Sequence, residues 1–172
     1  MSGRRVLFLH PSDEPYGADK ILMTMAAGLK SRGWAVCVAI ADDVPEGWTS
    51  GQLRLAGIEV VRAPLAPARR RYLRLVGIPG YVIRVIRARR RIRSLIREVR
   101  ADVVHVNTST LLAAALVGRP GRCHLVWHIH EIATRPRILS LLFRAVPVLS
   151  ADRVIAVSDA TARNLVPASI AR

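Results

Sequence analysis

A chain of 172 residues is long enough for one domain with a sizeable core, and an apolar content of 51% excludes a disordered polypeptide. Lysine and arginine number 27 against 12 aspartates and glutamates, a net charge of +15, which calls for an anionic partner and leaves phosphorylated substrate, anionic membrane and nucleic acid open. No apolar run is long enough to span a bilayer, the first run stops too soon for a secretory leader, and Cys37 and Cys123 are too few and too isolated for a disulfide framework or a zinc site.

The predicted elements alternate along the chain. Arg5 to His10 is a short apolar run ending in a loop of Pro, Asp, Glu and Gly, and predicts a buried strand. Gly17 to Arg32 carries Ile21, Leu22, Met25, Ala26 and Leu29 on one helical stripe, closed by Gly33. A second strand is expected over Trp34 to Ala41, a short helix over Gly51 to Gly57 and a third strand over Ile58 to Val61. Cys37 here, and Cys123 further on, lie in apolar strand-like segments and read as reduced core thiols.

A long helix begins near Pro79 or Gly80. Val82, Ile83, Val85, Ile86, Ile92, Leu95, Ile96 and Val99 fall at helical spacing, while Arg84, Arg87, Arg89, Arg90, Arg91, Arg93, Arg97 and Arg100 fill the other faces. Next come a strand (Asp102 to Val106), a helix (Thr108 to Val117) and a strand (His124 to His130). Arg137 to Leu149 predicts a helix broken near Pro147, Arg153 to Val157 a sixth strand, and Ser158 or Asp159 the cap of a last helix from Ala160.

Continuously apolar strands alternating with helices make a single doubly wound α/β domain with a mostly parallel sheet of about six strands. In such a sheet ligands bind at the carboxyl ends of the strands, here His10-Pro11, Ala41-Asp42, Asn107-Thr108, His130-Glu131 and Ser158-Asp159. The Tyr16-Gly17-Ala18-Asp19 segment at the first strand-to-helix turn is either an anion cradle at a helix N-terminus or an ordinary cap. A G-x-G-x-x-G fingerprint, a G-K-[ST] phosphate loop and a G-x-S-x-G elbow are absent, which argues against a dinucleotide dehydrogenase, a P-loop NTPase and a serine hydrolase.

His128 and His130 point to one side of their strand, yet no carboxylate or cysteine stands at metal-ligand spacing, so no metal is expected. His105 and His128 read as buried histidines bonded to backbone, and His130 as a residue at a ligand. Asn107-Thr108-Ser109-Thr110 is a run of short hydrogen-bonders, one of which should cap a helix. The arginine-rich helix has three open readings: a solvated face, a surface resting on anionic lipid, or a nucleic-acid site, the last disfavoured because only Tyr72 and Tyr81 could stack on bases.

Taken in order, the segments Arg5–Leu9, Tyr16–Lys20, Leu29–Val36, Asp102–Asn107, His130-Glu131 and Ala151–Ser158 resemble the N-terminal, acceptor-side half of a family 4 (group 1) glycosyltransferase of the GT-B fold, over the whole of residues 1–172. The resemblance implies a Rossmann-like domain and retaining transfer of a sugar from a nucleotide sugar to an acceptor hydroxyl, with no cofactor and no metal. It implies that Gly17 and Ala18 face the donor diphosphate and that His130 serves the reacting centre. Asn107, Thr108, Glu131 and Ser158 would line the acceptor site. It further implies an acceptor that is lipid-linked or part of the cell envelope, a cytoplasmic location, peripheral on the inner membrane face, and a lipid-facing role for Arg84, Arg87, Arg90 and Arg91.

Relatives often have paired glycines in the first loop, where Tyr16 stands here. The donor-side domain with its glutamate pair is not found within these 172 residues, so the chain by itself is expected to be inactive. The competing readings are a non-catalytic basic module for anionic membrane or nucleic acid, and another α/β enzyme that holds a phosphorylated ligand at its first loop.

Overall fold

The computed structural model describes residues 3–69, 72, 77–118, 123–132 and 137–165. Strands β1 (Arg5–His10), β2 (Ala35–Ala41), β3 (Glu59–Ala63), β4 (Val103–Val106), β5 (His124–Ile129) and β6 (Arg153–Ala156) form one sheet in the order β3-β2-β1-β4-β5-β6. Every pairing is parallel. Helices α1 (Gly17–Ser31), α2 (Trp48–Leu55), α3 (Gly77–Val99) and α4 (Arg137–Ser150), with a 3-10 helix at Leu112–Val117, supply the crossovers, and α5 (Asp159–Leu165) follows the last strand. The chain moves outward from β1 to β3, returns across the sheet, and moves outward again from β4 to β6. The strand order therefore reverses between β1 and β4, and the crevice above that reversal is where such sheets bind ligands.

Period-two alternation in β1 divides the core. Val6 and Phe8 pack with Val38, Ile40, Leu22, Ala26 and Leu53 on the face that α1 and α2 cover. Leu7 and Leu9 face the other way, with Ala39, Val104, Val106 and Trp127, beneath Val85, Ala88, Ile92 and Leu95 of α3. Both faces are covered, which is why the strands read as continuous apolar runs. Truncating a residue such as Leu7 to alanine would cost about 2–5 kcal/mol.

Several boundaries move for identifiable reasons. Helix α2 starts at Trp48, three residues before the expected Gly51, because Asp13 of the first loop caps it from afar. Its carboxylate accepts the backbone N–H of Gly47 at 3.0 Å and of Ser50 at 2.7 Å. Gly47 is obligatory there, since a Cβ would lie 2.0 Å from the Asp13 carbonyl oxygen. Helix α3 begins at Gly77 and takes Pro79 into its first turn, where a missing N–H costs nothing. Thr108 to Val117 is a turn followed by a 3-10 helix, not the expected α-helix.

Helix α4 does not break at Pro147 but runs on to Ser150, with the Ala151 N–H bonding the Pro147 carbonyl at 3.0 Å. On α3 the buried stripe is Tyr81, Val85, Ala88, Ile92, Leu95 and Ile96. Val82, Ile83 and Ile86, expected within that stripe, are exposed. The helix carries more apolar residues than one face can hold. Cys37 and Cys123 are buried and free, and burial pushes their thiols up to about 12 and about 11.

Candidate active site at the carboxyl edge of the sheet

His10, the last residue of β1, is wholly buried and points at α1. Its Nε2–H donates to Asp19 Oδ1 at 2.9 Å, and its Nδ1 accepts from the Asn107 amide nitrogen at 3.0 Å. Asp19 also accepts from the hydroxyls of Thr49 (2.8 Å) and Ser12 (3.1 Å) and from the Glu14 N–H (3.3 Å). Burial works to raise the Asp19 carboxyl, but hydrogen bonds from His10, Thr49 and Ser12 hold it below its usual range. Asn107, just past β4, donates from the same amide nitrogen to the Ala18 carbonyl at 3.2 Å. Its amide oxygen accepts from His130 Nε2, 2.9 Å away and one residue past β5. One amide thus ties the end of β5 to the first turn of α1 across the reversal point.

A row of rings runs up to His130 from the core. Phe8 and His105 stand opposite each other in the β1–β4 register with ring centroids 4.8 Å apart. His105 meets His128 edge-on at 5.5 Å, and His128 lies 4.2 Å from His130. His105 and His128 are buried as expected, but not backbone-bonded at every nitrogen: Nε2 of the first and Nδ1 of the second have no partner. Burial, with the neighbouring imidazoles adding to it, pulls their pKa values down to about 3 and about 4, so both rings are neutral at pH 7. His130 is half-buried, and burial lowers its pKa too, against the opposing charge of Glu131.

Glu131 turns toward the loop after β4. Its Oε1 accepts from the Thr108 hydroxyl at 2.5 Å, and its Oε2 from the backbone N–H and hydroxyl of Ser109, both at 3.3 Å. Across the crevice, α1 opens at Gly17 without a side-chain cap from Tyr16. A Cβ on Gly17 would meet nothing within 4 Å, so the protein itself leaves that space clear. The N–H groups of a first helical turn have no intrahelical acceptors and favour an anion.

The Glycosyltransferase Family 4 profile matches residues 15–172. This chain belongs to that family. A glycosyltransferase from Rickettsia africae ESF-5 is similar in structure, with a TM-score of 0.69 at 14% identity over 96% of this chain and 39% of that one. MurG of Acinetobacter baumannii is also similar, with a TM-score of 0.61 at 15% identity over 92% of this chain and 42% of that one. These likenesses establish the fold, and the chain spans about two-fifths of the length of both proteins. No curated protein matches the sequence.

Of the residues expected to serve the family 4 site, the structure brings Ala18, Asn107 and His130 into one hydrogen-bonded set, with Gly17 beside them and Thr108 clasping Glu131. Asn107 is only 1% exposed and both ends of its amide are taken up within the protein. Ser158 lies further out, after β6, where its Oγ accepts the Thr161 N–H at 3.2 Å and caps α5. Thr49 was not singled out in the sequence, and His10 and Asp19 stood there only within a strand end and a helix-start segment, although a histidine closing a strand nine residues before an aspartate in the next helix was a usable signal for their pairing. Among the described residues no group of three or more His, Cys, Asp or Glu could hold a metal ion, and no helix is long and apolar enough to cross a membrane.

The arginines of α3 divide. Arg84 lies over the Tyr72 ring at 4.0 Å, and Arg91 pairs with Glu98 at 2.7 Å. Arg87 and Arg90 are exposed and make no hydrogen bond or ion pair with the described residues.

Proposed function

We propose that this family 4 chain is the acceptor-side half of a retaining glycosyltransferase that moves a sugar from a nucleotide sugar to an acceptor hydroxyl. The observation that carries the reading is the Asn107 bridge, which holds His130 beside the uncapped first turn of α1 at the point where the strand order reverses. A donor diphosphate at the N–H groups of Gly17 and Ala18 would gain from the helix dipole, and its sugar would then extend toward His130.

In a retaining transfer the leaving phosphate oxygen takes the acceptor proton. His130 therefore orients the sugar and stabilises the reacting centre without abstracting a proton. Glu131, held by Thr108 and Ser109, offers its remaining carboxylate capacity to acceptor hydroxyls, with Ser158 at the outer end of the same edge. The nucleotide would be gripped by a donor-side domain.

The acceptor belongs to cell-envelope polysaccharide or glycolipid synthesis, and the chain works in the cytoplasm against the inner membrane face. Exposed Arg87 and Arg90 next to exposed Val82, Ile83 and Ile86 support this, because a basic surface with apolar residues suits anionic lipid. The test is a transfer assay on this chain joined to a donor-side domain. His130→Ala should lower turnover by about 10²-fold or more with thermal unfolding unchanged. Unchanged turnover would reject the role of His130, and no transfer from any nucleotide sugar would reject the reading.

A further inference from the structure

We propose that Asn107 is a positioning residue that fixes the ring proton of His130 on Nε2 and leaves Nδ1 as a hydrogen-bond acceptor for a sugar hydroxyl. The part that concerns the sugar rests on the function proposed above. The part that concerns the proton does not.

A backbone carbonyl oxygen only accepts, and the Ala18 oxygen lies 3.2 Å from one end of the Asn107 amide. That end must be the NH₂. The same NH₂ lies 3.0 Å from His10 Nδ1, which must therefore carry a lone pair. His10 then holds its proton on Nε2, and the atom facing Nε2 is Asp19 Oδ1 at 2.9 Å, an acceptor.

Two independent acceptors, a main-chain carbonyl and a buried carboxylate, thus demand the same orientation of the Asn107 amide. Its oxygen is turned to His130 Nε2 at 2.9 Å, and an oxygen there requires an N–H opposite it. No described residue bonds His130 Nδ1. Burial keeps the ring neutral, so Nδ1 carries a lone pair. A neutral ring in this state accepts from a hydroxyl and has nothing to donate to a phosphate oxygen. Diphosphate and sugar are thereby sorted, the first to the α1 N–H groups and the second to His130.

The test is a long-range ¹H–¹⁵N spectrum of the histidine-labelled chain at pH 7.5, with His130 assigned by the signal lost in His130→Gln. The expected result is a single Nε2–H form with a slowly exchanging ring proton. An Nδ1–H form, or an averaged mixture, would overturn the proposal without any variant. Asn107→Ala should convert the His130 signals to a fast-exchanging mixture, and unchanged signals in a folded variant would also overturn it.

Asn107→Asp keeps the side-chain shape but sets a carboxylate against Nε2, among His10, Asp19, His128 and Glu131. The titration midpoint of His130 should rise by about one unit or more, and an unmoved midpoint counts against the proposal. In the chain joined to a donor-side domain, Asn107→Ala should lower kcat by about 10²-fold with KM for the nucleotide sugar little changed. A transfer assay that is silent even for the parent protein would reject the proposed function, while the tautomer result would stand or fall on its own.

Discussion

Asp19 at the carboxyl edge is wholly buried and accepts hydrogen bonds from His10, Ser12, Thr49 and the Glu14 backbone, whereas Arg87 and Arg90 on α3 stand in solvent with no described partner. The difference follows from hydration. A buried polar group has surrendered its water and must recover every hydrogen bond inside the protein, so the edge is a closed set in which each member constrains the next. An exposed guanidinium keeps its water and constrains nothing. Substitutions at the edge should therefore be costly and coupled, and substitutions on α3 cheap and independent.

Asp19→Ala gives the largest test of that contrast. It strips the acceptor from several buried donors at once and should destabilise the chain by about 3–5 kcal/mol in urea unfolding. A loss under about 1 kcal/mol would erase the distinction between edge and surface.

Acid comes next. The folded pKa values of His105 and His128, about 3 and about 4, lie below the ordinary 6.5. The unfolded chain therefore takes up these protons first as pH falls. Stability from this source is complete above pH 6.5 and is lost from there down toward pH 4, by on the order of 3 kcal/mol for each ring. Thermal unfolding between pH 8 and pH 4.5 would show it, and His128→Leu should flatten the slope.

Gly17→Ala probes the open space at the first turn of α1. Because a Cβ there meets nothing, stability should move by less than about 0.5 kcal/mol, yet, on the function proposed above, use of nucleotide sugar should weaken in the chain joined to a donor-side domain. The smallest effect belongs to Arg87→Ala with Arg90→Ala, whose stability should stay within about 0.5 kcal/mol of the parent. Binding to anionic vesicles should nonetheless fall by about 1 kcal/mol per arginine removed. Equal binding of the parent chain to neutral and anionic vesicles would count against the membrane surface.

The parallel sheet was legible because Val6 to Leu9 and Cys37 to Ala41 are apolar without interruption, which only a strand covered on both faces tolerates. The place of His130 and Glu131 at a strand's carboxyl end was legible because they close such a run. The start of α2 was not, since its cap, Asp13, acts on Gly47 and Ser50 across 34 and 37 residues. The fate of Asn107 was hidden for the same reason. A short polar residue after a strand reads as ligand-facing, and only the arrival of Ala18 and His10 from elsewhere in the chain reveals that its amide is already spent. On α3 the error was one of counting, because periodicity marks the apolar residues without saying which of them exceed the width of the buried face.

The Ala18 carbonyl has a consequence for how this site can be found at all. Every amino acid supplies that oxygen, so no codon change at position 18 deletes it, and a mutational scan would register Asn107 and His130 while leaving silent the atom that orients the Asn107 amide between them. The instruction that places a proton on one imidazole is written partly in the main chain, where selection on side chains has nothing to change.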